Sequence, residues 1–258
     1  MDIRAHVYSP LQNTAVWLGA WIYDLVPTED VIDAFVDLGG PHTFEDGGLL
    51  DLLRCVRGTL ELLIDEPFTG PVISLVLSGP GDAPLLPASS EAAQWAARSG
   101  EGALVIRSVD KLKSFALIPQ RLDDSTVWEW IPVEGHLPTG AAVSPGEADQ
   151  LLSRATAEAA TIIEASAYSS LAPNSLKNPR LTVGSLSDFY DTPGLPHAVP
   201  PRSAKLFARA DRVAAIVETV QSTLGDHSLD PQLISLWRHI RTARMAGVDY
   251  ALAEFARA

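Results

Sequence analysis

Pro71-Val-Ile-Ser-Leu-Val-Leu-Ser78, Ala103-Leu-Val-Ile-Arg107, Ser114-Phe-Ala-Leu-Ile-Pro-Gln120 and Thr126-Val-Trp-Glu-Trp-Ile-Pro-Val133 are short runs rich in β-branched, aliphatic and aromatic residues. Each has the length of a strand and ends at turn-forming residues. The gaps between the last three are too short for crossover helices, so those strands must be antiparallel neighbours. The first runs into Gly79-Pro80-Gly81-Asp82, whose central Pro and Gly suit a type II turn. Ala83 to Pro87 is then expected to return as a short edge strand, because Pro84 and Pro87 cannot donate to a ladder.

Helical periodicity flanks this sheet on both sides. In residues 9–26, Trp17, Trp21 and Leu25 repeat at four-residue spacing, with Leu18 and Ile22 beside them. Gln12, Asn13 and Thr14 stand where side-chain oxygens cap a helix start. Pro27-Thr28 opens a second helix that Gly39-Gly40-Pro41 stops. Glu45 to Asp65 reads as a third, Leu-rich helix, and a fourth begins at Ser89 or Ser90 and ends at Gly100. Ser144-Pro145-Gly146-Glu147 is a capping box with proline at the first helical position. The helix it starts runs to about Tyr168. Further helices are expected from Ser203 to Gly225 and from Asp230-Pro231 onward, with Gly247 as a break in the last. Residues 169–202 hold six prolines and no clear periodicity, so they read as a wrapping loop; Asp188, Tyr190, Asp191 and His197 gather there.

The fold expectation is therefore α+β: a mainly antiparallel sheet of four to five strands with N-terminal helices, followed by a helical C-terminal part. The segment 135–143, with its glycines and Pro138, divides a 1–140 sheet domain from a 141–258 helical region. That region either packs on the sheet or forms a small bundle of its own.

Charge and cysteine usage narrow the function classes. The chain carries a net charge of −13, with 22 Asp+Glu against 8 Lys+Arg in residues 1–150 and 10 against 11 thereafter. Such a field repels anionic membranes and disfavours nucleic acid as a partner. Cys55 is the single cysteine, so no intramolecular disulfide and no Cys-based metal cluster can form. The apolar run from Ala15 to Tyr23 is too short to span a bilayer, and no signal peptide is visible, so the expected compartment is the cytoplasm. An Arg-rich, Ala-rich composition suggests a bacterial source.

Motifs for chemistry are sparse. There is no P-loop, Rossmann fingerprint, nucleophile elbow or His-Glu-x-x-His metal motif, and the six histidines are scattered singly. No cofactor is implied. Asp30, Asp33 and Asp37 align on one helix face, which reads as a solvated face rather than a cation cage. Cys55 lies near Arg54 and Arg57, which lower a thiol pKa when close, but a cysteine in a helix interior is ordinarily a small core residue. Trp128 and Trp130 share one strand face, either packed under a helix or open as a contact patch. Arg238, Arg241 and Arg244 form a stripe at three-residue steps that either grips an anion bidentately, faces solvent, or docks against the acidic half.

Two functions follow as expectations. One is a non-catalytic module that binds a protein partner or itself, with Trp128 and Trp130 at the contact. The other is a small-molecule-binding protein or enzyme, with an anionic ligand held by Arg238, Arg241 and Arg244 under the 169–202 loop.

Overall fold

Alternation along the strands leaves two apolar sheet faces that both require cover, and the architecture follows from how each is covered. The structure, a computed structural model, describes residues 10–64, 71–79, 82–110, 112–138, 143–167, 194–224 and 230–258. The described elements are α1 (Pro10–Ile22), α2 (Thr28–Gly39), β1 (His42–Phe44), β2 (Gly47–Gly48) and α3 (Leu49–Ile64). After them come β3 (Ile73–Val76), α4 (Glu91–Ser99), β4 (Ala103–Arg107), β5 (Lys113–Arg121) and β6 (Thr126–Glu134). The last three are α5 (Pro145–Ala167), α6 (Pro201–Leu224) and α7 (Asp230–Phe255).

The sheet has six strands in the order β2-β1-β6-β5-β4-β3. Every pairing is antiparallel except β1 with β6, which is parallel. The sheet is thus mixed and mostly antiparallel, within an α+β fold. Two strands exceed the sequence expectation. β1 and β2 are only three and two residues long, too short to show alternation. β1 precedes the predicted Glu45–Asp65 helix and β2 takes its start, so that helix in fact begins at Leu49. Ala83–Pro87, conversely, forms no strand: only Gly79 and Asp82 bridge one another. With two prolines in five residues, the segment lacks the N–H groups a ladder needs.

On one face, Ile73, Leu75, Leu104, Ile106, Leu117 and Trp128 enter the main core with α1, α2 and α3. The far end of α7 joins them through Val248, Ala251, Leu252 and Phe255. On the other face, Val105, Ala116, Ile118, Ile131 and Val133 pack beneath Ala92 and Ala96 of α4. Ile131 is therefore inward although it lies opposite the tryptophans, because this sheet has no open face. The third cluster joins α5, α6 and the first half of α7 through residues such as Leu152, Leu206, Val213, Trp237 and Ile240. α7 is common to two cores.

Helix ends follow local chemistry. Ser90 caps α4 by accepting the Ala93 N–H at 3.1 Å, and Gly100 closes it in a left-handed conformation. The Ser144–Glu147 box is formed in both directions, at 2.9 and 3.3 Å. α6 starts at Pro201, two residues before the predicted Ser203, since proline suits the first helical position. The Ser203 hydroxyl is buried and donates to the Gly247 carbonyl at 2.8 Å, stitching α6 to α7. Gly247 does not break α7. It lets Phe207 approach: a Cβ there would lie 2.4 Å from the ring.

This contact predicts a sign reversal. Gly247→Ala should lower stability by about 1–2 kcal/mol through overpacking, although alanine normally gains about 1 kcal/mol in a helix. Gly58→Ala on α3, where a Cβ meets nothing within 4 Å, should gain about 1 kcal/mol. Urea titration of both variants measures the difference.

Candidate functional site

A cleft of about 410 Å³ opens beside the edge strand β3, between the sheet and α7. Strand alternation sends Ser74, Val76, Val105 and Arg107 to one side of β3 and β4. α7 crosses that edge with Thr242, Met245, Ala246 and Asp249, a spacing of three, four and seven that places all four on one helix face. The Leu77 N–H donates to the Met245 sulfur at 3.4 Å, so the helix also blunts the strand edge. Leu85, Leu137 and Val143 complete an apolar wall.

Asp249 is reached by solvent from the cleft yet hemmed in by protein, and this enclosure pushes its pKa up to about 6. Attraction to Arg107 only partly offsets the rise. Burial likewise raises Tyr23, and Arg107 again acts in the opposite direction. The cleft thus joins a fixed cation, a carboxyl group that titrates near neutral pH, and the Ser74 and Thr242 hydroxyls on an apolar floor. Such a set can pair with an anion and exchange a proton.

Neither Arg107 nor Asp249 stands out as a motif. The signal available was positional: Arg107 closes the apolar run Ala103–Arg107 on the same face as Ala103 and Val105. A cation on an inward strand face requires a partner, and that partner comes from 142 residues later in the chain.

The predicted arginines have other positions. Arg238 and Arg241 both pair with Asp82 on the β3 turn, at 3.1 and 2.8 Å. Gly79 makes room for this, because a Cβ there would lie 2.7 Å from the Arg241 guanidinium. Arg244 is 2% exposed, bonded to Asp211 of α6 and to Gln12 of α1, both at 2.7 Å. Gln12 and Asn13 are buried: the Gln12 amide N–H donates to Asn13 Oδ1 and Gln12 Oε1 accepts from Arg244, rather than either side chain capping α1. Docking against the acidic half describes Arg238 and Arg241, which meet Asp82, whereas Arg244 meets Asp211 in the C-terminal half.

Trp128 is buried, and its indole N–H donates to His42 Nδ1 at 2.7 Å. That bond makes His42 a neutral ring whose Nε2–H donates to the Phe35 carbonyl at 2.7 Å, and burial lowers its pKa accordingly. Trp130 stacks on Phe115 with ring centres 4.9 Å apart and meets Phe44 edge-on. Cys55 is not activated: burial and then Glu45 raise its pKa. Arg54 instead pairs with Asp51, and Arg57 with Asp24 and the Trp21 ring. Asp188, Tyr190 and Asp191 lie outside the described residues. The following stretch docks on α1, where the Trp17 N–H donates to the Gly194 carbonyl at 3.0 Å. Among the described residues, no group of three or more His, Cys, Asp or Glu is placed to hold a metal ion. No helix among them is long and apolar enough to cross a membrane.

An α+β protein with a cleft between a sheet edge and its last helix is thus the class defined by the fold. Residues 12–148 match the model of the N-terminal domain of Rv1486c-like protein, and residues 146–245 match that of its C-terminal domain. The chain belongs to the Rv1486c-like family. No curated protein and no solved structure matches it.

Two outcomes are expected here. A raised carboxyl pKa in the folded state favours the protonated form, so Asp249 destabilises the fold as pH rises from about 4 through about 6. Asp249→Asn should leave Tm unchanged near pH 4. At pH 7.5 it should raise Tm by about 2–4 °C, taking about 1 kcal/mol after allowance for solvent in the cleft. Asp211→Ala, which takes a buried carboxylate partner from the Arg244 guanidinium, should cost about 3–5 kcal/mol by denaturant unfolding.

Proposed function

We propose that this protein binds a small anionic molecule with an apolar body in the cleft between β3, β4 and α7. The observation behind this reading is the convergence of Arg107 and Asp249 on one apolar-walled cavity of ligand size. Arg107 pairs with the anionic group, Ser74 and Thr242 orient it, and Asp249 accepts or donates a proton. Arg238, Arg241 and Arg244 serve the framework in this reading, and α7 contributes through Met245 and Asp249 instead.

The alternative, a protein-binding or self-associating module, draws less support from the tryptophans. Trp128 lies in the core and Trp130 packs against aromatic neighbours. What favours it is charge segregation, with exposed Glu29, Asp30, Asp33 and Asp37 on α2 and exposed cations on α6.

Thermal unfolding across carboxylates, phosphates and sulfonates tests the cleft. A true ligand at a hundred times its Kd should raise Tm by roughly 5–10 °C. The shift should vanish in Arg107→Ala and persist in Arg238→Ala, whose side chain is 64% exposed. Affinity should rise as pH falls through about 6, where Asp249 loses the charge that repels an anion. A library without any shift would remove this reading.

A further inference from the structure

A second cleft, of about 720 Å³, lies between the start of α5 and the first half of α6. Arg202, Lys205, Arg209 and Arg212 all line it. Their spacing of three, four and three residues sets them along one face of α6, over about 15 Å at the helical rise. Four cations in line on a chain of net charge −13 create a local field opposite to that of the whole.

Two of the four are held in place. Arg209 pairs with Asp149 at 3.1 Å and bonds to Ser153. Arg202 lies over the Tyr250 ring at 5.7 Å. Lys205 and Arg212 are exposed and form no ion pair among the described residues. Among the described residues, Asp149 is the one carboxylate lining the cavity. In the first turn of α5, Pro145 has no N–H and the Glu147 N–H is taken by Ser144.

We infer that this cleft is a second binding site, for an anion carrying two or more linked phosphates. A single phosphate engages one or two of these cations. Lys205, Arg209 and Arg212 alone extend over about 10 Å, a span that a chain of phosphates bridges. Guanidinium groups recognise phosphate oxygens through parallel N–H donors, and lysine adds a point charge. Concavity favours a small ligand over a flat protein contact. This inference does not depend on the cleft at Arg107 and Asp249.

Calorimetric titration of the full chain with inorganic tripolyphosphate, against sodium chloride of equal ionic strength, decides it. Saturable binding at one site is expected, weakened at least tenfold by Lys205→Ala and by Arg212→Ala and unchanged in Arg107→Ala. Both variants alter exposed side chains, and equal Tm values without ligand verify their folding. A parallel titration with a nucleoside triphosphate separates the sources: equal affinity assigns the site to the phosphate chain alone, and tighter binding assigns it to nucleotides. Binding no stronger than the chloride control, or binding retained in the double variant, overturns the inference. So does an unliganded dimer that the double variant converts to a monomer, which would assign the basic face to a second copy.

Discussion

The guanidinium of Arg244 must have charged and polar partners, because it is removed from water almost completely. Desolvating such a group costs several kcal/mol unless its N–H donors are satisfied with good geometry. Its partners come from both ends of the chain, Gln12 on α1 and Asp211 on α6. Three helices are thereby held to one relative setting by a requirement that apolar packing alone does not impose. One turn of α7 further on, Gly247 receives the Phe207 ring and Ser203 bonds its carbonyl. Beyond that, Val248 to Phe255 enter the core that also holds α1 and the sheet.

This setting is what produces the Arg107–Asp249 cleft. β3 is the outer strand of the sheet, and its unpaired edge meets α7 instead of another strand. The helix face that carries Met245 and Asp249 stands off from Val105 and Arg107, and the space between is the cavity. The stability that Arg244 and its partners confer is thus coupled to the geometry of a site several residues away along the same helix. Asp249 shows the opposite tendency, with a carboxyl group kept from full ionisation by its surroundings. Local destabilisation tolerated inside a well-braced framework is a common property of binding sites.

Charge is distributed with similar economy. Asp82 sits on a turn after β3 and receives both Arg238 and Arg241, so one carboxylate anchors the β3 turn to two turns of α7. The partly buried pair of Glu101 and Arg121 ties the segment before β4 to the end of β5. Arg121 also donates to the Leu38 carbonyl, which ties β5 to α2. The cations Arg202, Lys205, Arg209 and Arg212 of α6, by contrast, are exposed.

The strands from Ile73 to Glu134 were legible because alternation and β-branched residues identify them locally. The caps at Ser90 and Ser144 were legible because capping is a contact between residues three apart. β1 and β2 were not, since two- and three-residue strands have no period to detect, and Ala83–Pro87 misled because Pro84 and Pro87, which are compatible with an edge strand, leave too few donors here to form one. The arginine stripe was visible as spacing, but spacing assigns a face without naming what lies opposite it. Sequence by itself determined which residues are apolar, where the helices capped by Ser90 and Ser144 begin, and that the last helix carries cations needing partners. Only tertiary structure decided that Gln12, Asp82 and Asp211 would be those partners and that Arg107 would face Asp249. The physical reason is range: periodicity and capping act within a few residues, whereas burial of charge is satisfied by whatever segment the chain brings near.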